Sequence, residues 1–339
     1  MNLLPLSLLL GCSPAVTDTS EEVEDTALSS VITPLVDRAY APALIETIDG
    51  ATGRLHLLEY VIYDAGSVHE VLSHLYDAAD RGVEVMVLAD EAADGVEGVL
   101  SRMEASGVTT QLDSPHTTTH NKLVVADDVV LLGSHNFTSY ALDLNTEGSV
   151  RIADQAVTDW YEGYFQAIWA HPDVEPVLER QAIGAVTPLY NREVDEALLA
   201  CIEGASERLR LVLYAASYNA AYPDTPANLL IDGLVAATAR GVDVRVVLDD
   251  SDWVHDNRIN TAAIGVLTDG AVPLRLSARD HTTHAKVLVC DGAAIVGDAN
   301  WSWSAFNDYN GTSVLLTERA AADQYGAWID GLWDGAAAP

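Results

Sequence analysis

Lysine is nearly absent. Of 339 residues only Lys122 and Lys286 carry an ammonium side chain, and every other basic residue is arginine. Basic residues of both kinds are scarce, with 17 Lys and Arg against 51 Asp and Glu and a formal net charge of −34. The imbalance is general: residues 1–184 hold 7 basic and 30 acidic groups, and residues 185–339 hold 10 and 21. Such a surface repels a phosphate polyanion at long range, so affinity for nucleic acid would have to come from a local cleft. The composition therefore counts against a nuclease; it equally suits solubility in salty surroundings. Cysteine is also scarce, and no disulfide framework can be argued from Cys12, Cys201 and Cys290. Cys201 lies in a helical pattern and Cys290 in an apolar strand, and both are expected as buried free thiols. The apolar run from Leu3 to Leu10 is too short to span a bilayer. What remains, 49% hydrophobic residues in 339, is enough for two well-cored domains.

The chain is written twice. Thr33-Pro34-Leu35 recurs as Thr187-Pro188-Leu189, the apolar run Leu55 to Tyr63 as Leu209 to Tyr218, and Arg81-Gly82-Val83 as Arg240-Gly241-Val242. The separation grows from 154 to 159 to 164 residues along the chain, which places short insertions in the second copy within 219–228 and between 249 and 281. A period this long is a domain duplication. Within each copy helical and strand patterns alternate. Ser67 and Glu70 read as a capping box, and Thr225-Pro226 opens the matching helix. The runs 83–89 and 242–248 are apolar on both faces, as in a sheet covered by helices on both sides. Lys122 to Val125 and Val129 to Leu132 read as paired strands joined at Asp127-Asp128, with Asp291-Gly292 as the matching turn. Each copy closes on an aromatic amphipathic helix, 154–170 and 318–333.

Both lysines fall at one place in this repeat. The first copy has His120-Asn121-Lys122, then Asp127, then Gly133-Ser134-His135-Asn136; the second has His284-Ala285-Lys286, then Asp291, then Gly297-Asp298-Ala299-Asn300. In a chain that otherwise uses arginine, a compact ammonium kept twice at one spacing points to a local task. Both copies resemble the HKD motif of the phospholipase D superfamily, and the resemblance covers nearly everything after residue 30. It implies an α/β protein made of two tandem phospholipase D-like α/β/α sandwich domains, residues 31–180 and 181–339, related by a pseudo-twofold axis. It also implies one active site between the lobes, where two histidines meet and a phosphodiester is cleaved with no metal and no other cofactor.

The roles follow from that resemblance. His120 and His284 would divide nucleophilic attack and proton donation, since imidazole titrates near neutrality. Lys122 and Lys286 would hold the non-bridging oxygens, with Ser134, Asn136 and Asn300 binding the phosphate. Asp127 and Asp291 belong to the motif and are grouped with the catalytic set, although an aspartate there also suits a tight turn. Asn145-Thr146-Glu147 resembles the family's Asn-x-Glu, and the second copy has Asn310-Gly311-Thr312 with no carboxylate. On that basis Glu147 is expected to orient His120 as nucleophile, leaving His284 as general acid. Asp298 stands where the family has serine, and a carboxylate beside a phosphate is repulsive unless protonated, paired or turned away. His116, four residues before His120, and His281, three before His284, precede strand patterns and are not expected to bind metal. Trp301, Trp303 and Phe306 suit either a ligand pocket or the core; Tyr218, Tyr222 and Trp253 are candidate rim residues.

Leu9-Leu10-Gly11-Cys12 resembles a bacterial lipobox. This implies a lipoprotein-type signal sequence in residues 1–12, lipid on Cys12, a disordered acidic tether over 13–30, and a membrane-anchored location outside the cytoplasm. The function expected is a phospholipase D-type phosphodiesterase acting on phospholipid through a phosphohistidine, releasing the phosphoryl group to water or to an alcohol. A secreted or periplasmic nuclease of the same superfamily is the alternative, and a weakly active scaffold lipoprotein that retained the fold is a third. A cardiolipin synthase role is disfavoured, because no membrane-spanning segment precedes the first half. Two motifs in one chain make a monomer with pseudo-symmetric halves the expected state.

Overall fold

The computed structural model describes residues 31–339. The expected signal sequence, Cys12 and the expected tether lie outside the described residues. The first half runs β1 (Val31–Val36), α1 (Tyr40–Gly50), β2 (Arg54–Glu59), α2 (Ser67–Asp80), β3 (Glu84–Ala89), α3 (Val96–Ala105), β4 (Thr109–Leu112), β5 (Thr118–Thr119), β6 (Lys122–Ala126), β7 (Val129–Gly133), β8 (Gly148–Ala153) and α4 (Gln155–Ala170). The second continues with β9 (Val186–Tyr190), α5 (Glu193–Gly204), β10 (Arg208–Leu213), α6 (Pro226–Ala239), β11 (Asp243–Leu248), α7 (Asp252–Asp256), α8 (Thr261–Asp269), β12 (Leu274–Leu276) and β13 (Lys286–Cys290). It ends with β14 (Ala293–Gly297), α9 (Trp303–Asn307), β15 (Tyr309–Asn310), β16 (Thr312–Leu316) and α10 (Arg319–Gly335).

Each half builds a seven-stranded mixed sheet, and the orders match: β1-β8-β7-β6-β2-β3-β4 in one, β9-β16-β14-β13-β10-β11-β12 in the other. Strands β2, β3 and β4 are parallel, as are β10, β11 and β12, while the rest of each sheet is antiparallel. Pro34 and Pro188 sit on β1 and β9, the edge strands, where a missing N–H is tolerated.

The apolar runs in the strands reflect burial on both faces. One face of each sheet packs on its own helices, through Leu55, Leu57, Val85 and Val124 in the first half and Leu209, Leu211, Val244 and Leu288 in the second. The opposite faces share a single core with α4 and α10, in which Leu58, Leu123 and Val150 join Val212, Val287 and Val314 around Tyr161, Tyr164, Phe165, Tyr325 and Ile329. Burying each of these large side chains is worth roughly 1.5–3 kcal/mol. Two phenols also tie the halves together, since Tyr161 donates to the Ser313 carbonyl (2.7 Å) and Tyr325 to the Ser149 carbonyl (2.5 Å). The closing helices thus act as a shared filling between two sheets.

Local signals fared unequally. Asp154 caps α4 by accepting from the Val157 N–H (3.0 Å), and Thr225 precedes Pro226 at the start of α6. The Ser67 capping box does not form. Gly66, at φ 59°, is the cap, Ser67 is already helical, and its hydroxyl donates to Asp143 (2.7 Å) instead. The expectation of free thiols is also corrected: Cys201 on α5 and Cys290 at the end of β13 are joined as a disulfide, with Cα atoms 5.8 Å apart. Sequence spacing carries no information about that approach, which is created when α5 packs on the outer face of its sheet.

The disulfide closes a separation of 89 residues. Its reduction, or the Cys201→Ser/Cys290→Ser variant, is expected to lower the unfolding free energy by about 2–4 kcal/mol. Urea denaturation with and without reductant measures this, and coincident midpoints would refute it.

Candidate active site

Both motifs emerge at the same edge of their sheets. His120 precedes β6 and Lys122 opens it; His284 precedes β13 and Lys286 opens that strand. This edge also holds the carboxyl ends of β2 and β3 and of β10 and β11, where ligands bind in open α/β sheets. Carboxylates brace the loops from behind: Asp90 and Asp113 both accept the Thr119 N–H (3.0 and 2.9 Å), and Asp249 accepts that of Thr283 (2.6 Å). Each loop is then completed by the other half. The His120 N–H donates to the Asn310 carbonyl (2.8 Å) where β5 and β15 pair, and the His284 N–H donates to the Thr146 carbonyl (2.8 Å). His120 and His284 are thereby drawn to one seam.

The side chains repeat this symmetry. Lys122 Nζ donates to the His120 carbonyl (2.6 Å) and lies 5.0 Å from the Tyr60 ring centroid. Lys286 Nζ donates to the His284 carbonyl and lies 5.0 Å from the Tyr214 ring centroid. Tyr60 stands 4.9 Å from the His120 ring and Tyr214 stands 4.7 Å from that of His284. Tyr309 adds a third ring, 5.6 Å from His120, and Trp253 stacks on Tyr214 at 6.4 Å. Aromatic walls of this kind exclude water while leaving an ammonium a favourable π face.

The fold has counterparts. A family model described as "Cardiolipin synthase, PLD-like domain" matches residues 44–169 and again 198–333, so both halves carry it. The chain belongs to this PLD-like family. No curated protein sequence matches it. Among solved structures it is similar to the phosphatidylserine synthase of Haemophilus influenzae Rd KW20, at 12% identity over 90% of this chain and 86% of that one, with a TM-score of 0.70. It is also similar to the polyphosphate kinase of Porphyromonas gingivalis, at 14% identity over 89% of this chain and 50% of that one, with a TM-score of 0.61. At these identities the likeness is one of fold: two tandem PLD-like domains.

Within the PLD-like site, Glu147 corrects the sequence-based expectation. Its carboxylate lies against His284, with Oε2 3.0 Å and Oε1 3.1 Å from Nδ1, rather than against His120. The Ser134 carbonyl is 3.1 Å from the same nitrogen, which leaves Nε2 of His284 facing the site. The reason is topological: β8 enters from the seam, so a side chain just before it reaches across to the opposite motif. Ser134, expected to bind phosphate, instead donates to Glu147 and accepts from the Gly148 N–H (3.0 Å). Asn136 and Asn300 follow their strands at the same edge, and Oδ1 of each is buried with no hydrogen-bond partner among the described residues.

Asp127 and Asp291 are not part of this cluster. They occupy the hairpin turns at the far ends of β6 and β13, with φ 45° and 53°, five residues beyond each lysine or roughly 16 Å along the strand. The Asp127 carboxylate accepts from the Thr52, Gly53 and Arg54 N–H groups, and that of Asp291 from Ser206, Glu207 and Arg208. Their place in the motif is structural: they anchor each hairpin to the start of β2 or β10. Trp301 and Phe306 are core residues, while Trp303 is 56% exposed and lines a cavity of about 530 Å³ with Tyr222 and Asn228. Of the candidate rim residues, Tyr222 and Trp253 are exposed and Tyr218 is half-buried. His281 bonds the Thr146 hydroxyl (2.8 Å).

Sequence reasoning missed Glu59. It is fully buried at the end of β2, directly across from Lys122 in the strand register, and neither carboxylate oxygen has a hydrogen-bond partner among the described residues. The available signal was a single acid inside an apolar run, where the second copy has Leu213.

Burial dominates the electrostatics. It lowers Lys122 to about 8 and Lys286 to about 7, with the surrounding carboxylates opposing. It also lowers His120 well below the usual imidazole value, assisted by Lys122, Lys286 and His284. His284 is lowered too, but Glu147 works against the shift. Glu147 is itself pushed up by burial, yet the charge and hydrogen bond of His284 prevail and hold it at about 2. Burial raises Glu59 well above the carboxylate range and raises Asp298 to about 7, in both cases against the pull of Lys122.

Because Glu147 favours the imidazolium of His284, Glu147→Gln is expected to lower the pKa of His284 further, measurable by NMR titration of the ring; an unchanged or higher value would refute the pairing. The carboxylate's folded pKa lies below its ordinary value of about 4.3. Its contribution to stability is therefore present above that value and lost as the pH falls toward about 2. Acid unfolding of Glu147→Gln should lack this component.

Proposed function

We propose that the chain is a metal-independent phosphodiesterase of phospholipase D type that acts on phospholipid head groups. One observation carries the reading: two imidazoles, each with its own buried lysine, are held at one seam by backbone bonds from the opposite half. The net charge of −34 favours a lipid phosphodiester over a nucleic-acid polyanion.

The division of labour follows from the asymmetry around the rings. Glu147 favours the imidazolium of His284 against the burial that lowers it, and His120 has no such carboxylate at its ring, which suits His284 to the general acid. His120, with burial and two ammonium groups opposing its protonation, stays neutral and suits a nucleophile. The reactive nitrogen of His120 attacks phosphorus, the bond from phosphorus to the head-group alcohol breaks, and His284 gives its proton to the leaving oxygen. Water, or a second alcohol, then transfers a proton to His284 as its oxygen attacks phosphorus, the phosphorus–nitrogen bond breaks, and His120 is released. Lys122 and Lys286 neutralise the non-bridging oxygens, where charge accumulates. His120 thus keeps the role expected from the sequence on different grounds. The disulfide supports an oxidising compartment, which agrees with the export expected from the amino terminus.

Release of choline or glycerol from phosphatidylcholine or phosphatidylglycerol vesicles, without divalent metal, is the expected activity. His120→Ala and His284→Ala should each lower it by roughly 10²–10⁴-fold or more. A phosphoenzyme trapped during turnover should carry its label on His120, and a label on His284 would reverse the two roles. Cleavage of single-stranded DNA alone would indicate a nuclease. No turnover of either substrate would indicate a scaffold.

A further inference from the structure

Strand register sets the residues of the two half-sites in correspondence. Gly133 pairs with Ser149 between β7 and β8, and Gly297 pairs with Ser313 between β14 and β16. Ser134 therefore corresponds to Asp298, and Glu147 corresponds to Gly311 rather than to Thr312, as the Asn-x-Glu alignment had implied. The acid changes place between the halves. In the first, position 147 bears a carboxylate, and the Ser134 hydroxyl accepts the Gly148 N–H at 3.0 Å. In the second, position 311 has no side chain, and Asp298 Oδ2 accepts the equivalent N–H, that of Thr312, at 2.7 Å. A Cβ placed on Gly311 would lie 2.6 Å from Asp298 Oδ1 and 3.4 Å from its Cγ. The Asp298 carboxylate thus fills the space through which a side chain at 311 would leave the backbone. Neither a tight turn nor a positive φ accounts for this glycine.

We propose that Asp298 is the carboxylate of the second half-site, exchanged in position with the missing acid at Gly311, and that it positions His120 through its backbone and through Lys122, where Glu147 positions His284 by direct contact. The inference rests on the phosphodiesterase reading above. Asp298 is 2% exposed, and its backbone hydrogen-bonds the His120 ring as the Ser134 carbonyl does that of His284. The charged and titratable groups around its carboxylate are Lys122, Lys286, Glu59, Tyr161 and Tyr164. Among these Lys122 is the main countercharge, so Asp298 acts through both His120 and its lysine. Where a phosphate-binding hydroxyl was expected, this acid turns Oδ2 to the Thr312 N–H and has Lys122 as its countercharge. Asp298 is in this reading a positioning residue of an active enzyme.

The test is a double-mutant cycle on the full chain, read by turnover of phosphatidylglycerol vesicles and, without substrate, by the ring resonances of His120, assigned by their loss in His120→Asn. Asp298→Ser is expected to lower kcat by roughly 10²-fold while KM changes by less than about threefold. Gly311→Glu alone should lower the melting temperature, since its Cβ has no room beside Asp298. The double variant Asp298→Ser/Gly311→Glu should recover kcat to within about fivefold of wild type and return the His120 resonances to their original positions. Asp298→Asn, isosteric and uncharged, covers the case in which serine disturbs folding, and is expected to lose activity at an unchanged melting temperature. Asp298→Ser as active as wild type or more so, or a folded double variant no better than Asp298→Ser, would overturn the proposal. If wild type turns over no phospholipid, the phosphodiesterase reading fails by itself. The ring resonances then decide: a shift in Asp298→Ser that the double variant reverses supports the exchange, and no shift overturns it.

Discussion

The seam between the halves is the constraint on which the site depends. Neither motif loop is complete within its own half: the His120 N–H needs the carbonyl of Asn310, the His284 N–H needs that of Thr146, and the His284 ring needs the carboxylate of Glu147. Glu147 is fully buried, and a buried charge without its partner costs several kcal/mol. Docking the halves and assembling the site are therefore one event. The shared core around α4 and α10 drives it, and Tyr161 and Tyr325 fix its register through hydrogen bonds to the opposite sheet.

Burial gives this seam its chemical character. Lys122, Lys286, Glu59, Asp298 and Glu147 are all withdrawn from water, so each is read through its neighbours rather than through solvent. Burial pulls both lysines down and pushes the aspartate up, so the charge state of each depends on the others. The two histidines share this environment unequally. One has an ionised glutamate against its ring, while the other has only aromatic rings, two lysines and the backbone of Asp298. A duplicated protein has thereby become an asymmetric one, and an acid and a nucleophile need different surroundings.

The folding pattern was largely legible before the structure. The repeat, the apolar strands, the β6–β7 hairpin and the closing helices are all present within the boundaries read from the sequence, give or take a few residues. Local signals that depend on a neighbour were less faithful. Ser67 had the spacing of a cap, but Asp143, 76 residues away, captured its hydroxyl. Cys201 and Cys290 looked like core thiols because nothing in their spacing shows that α5 crosses the end of β13. Asp127 and Asp291 carried both a motif identity and a turn signature, and the turn signature describes where they sit.

Composition, period and spacing determined on their own that there are two like α/β halves, that each presents a histidine and a lysine at the edge of a sheet, and that the surface is strongly acidic. These are properties of alternating burial and of residue type, which a linear pattern records. The partners of those residues were decided only when the sheets closed on each other. Glu147 went to His284 and not to His120, Glu59 came to lie across from Lys122, and Asp298 took the space above Gly311. Each of these pairings joins residues from different strands or different halves, and no sequence separation encodes which groups will share a low-dielectric interior once water has been removed from between them.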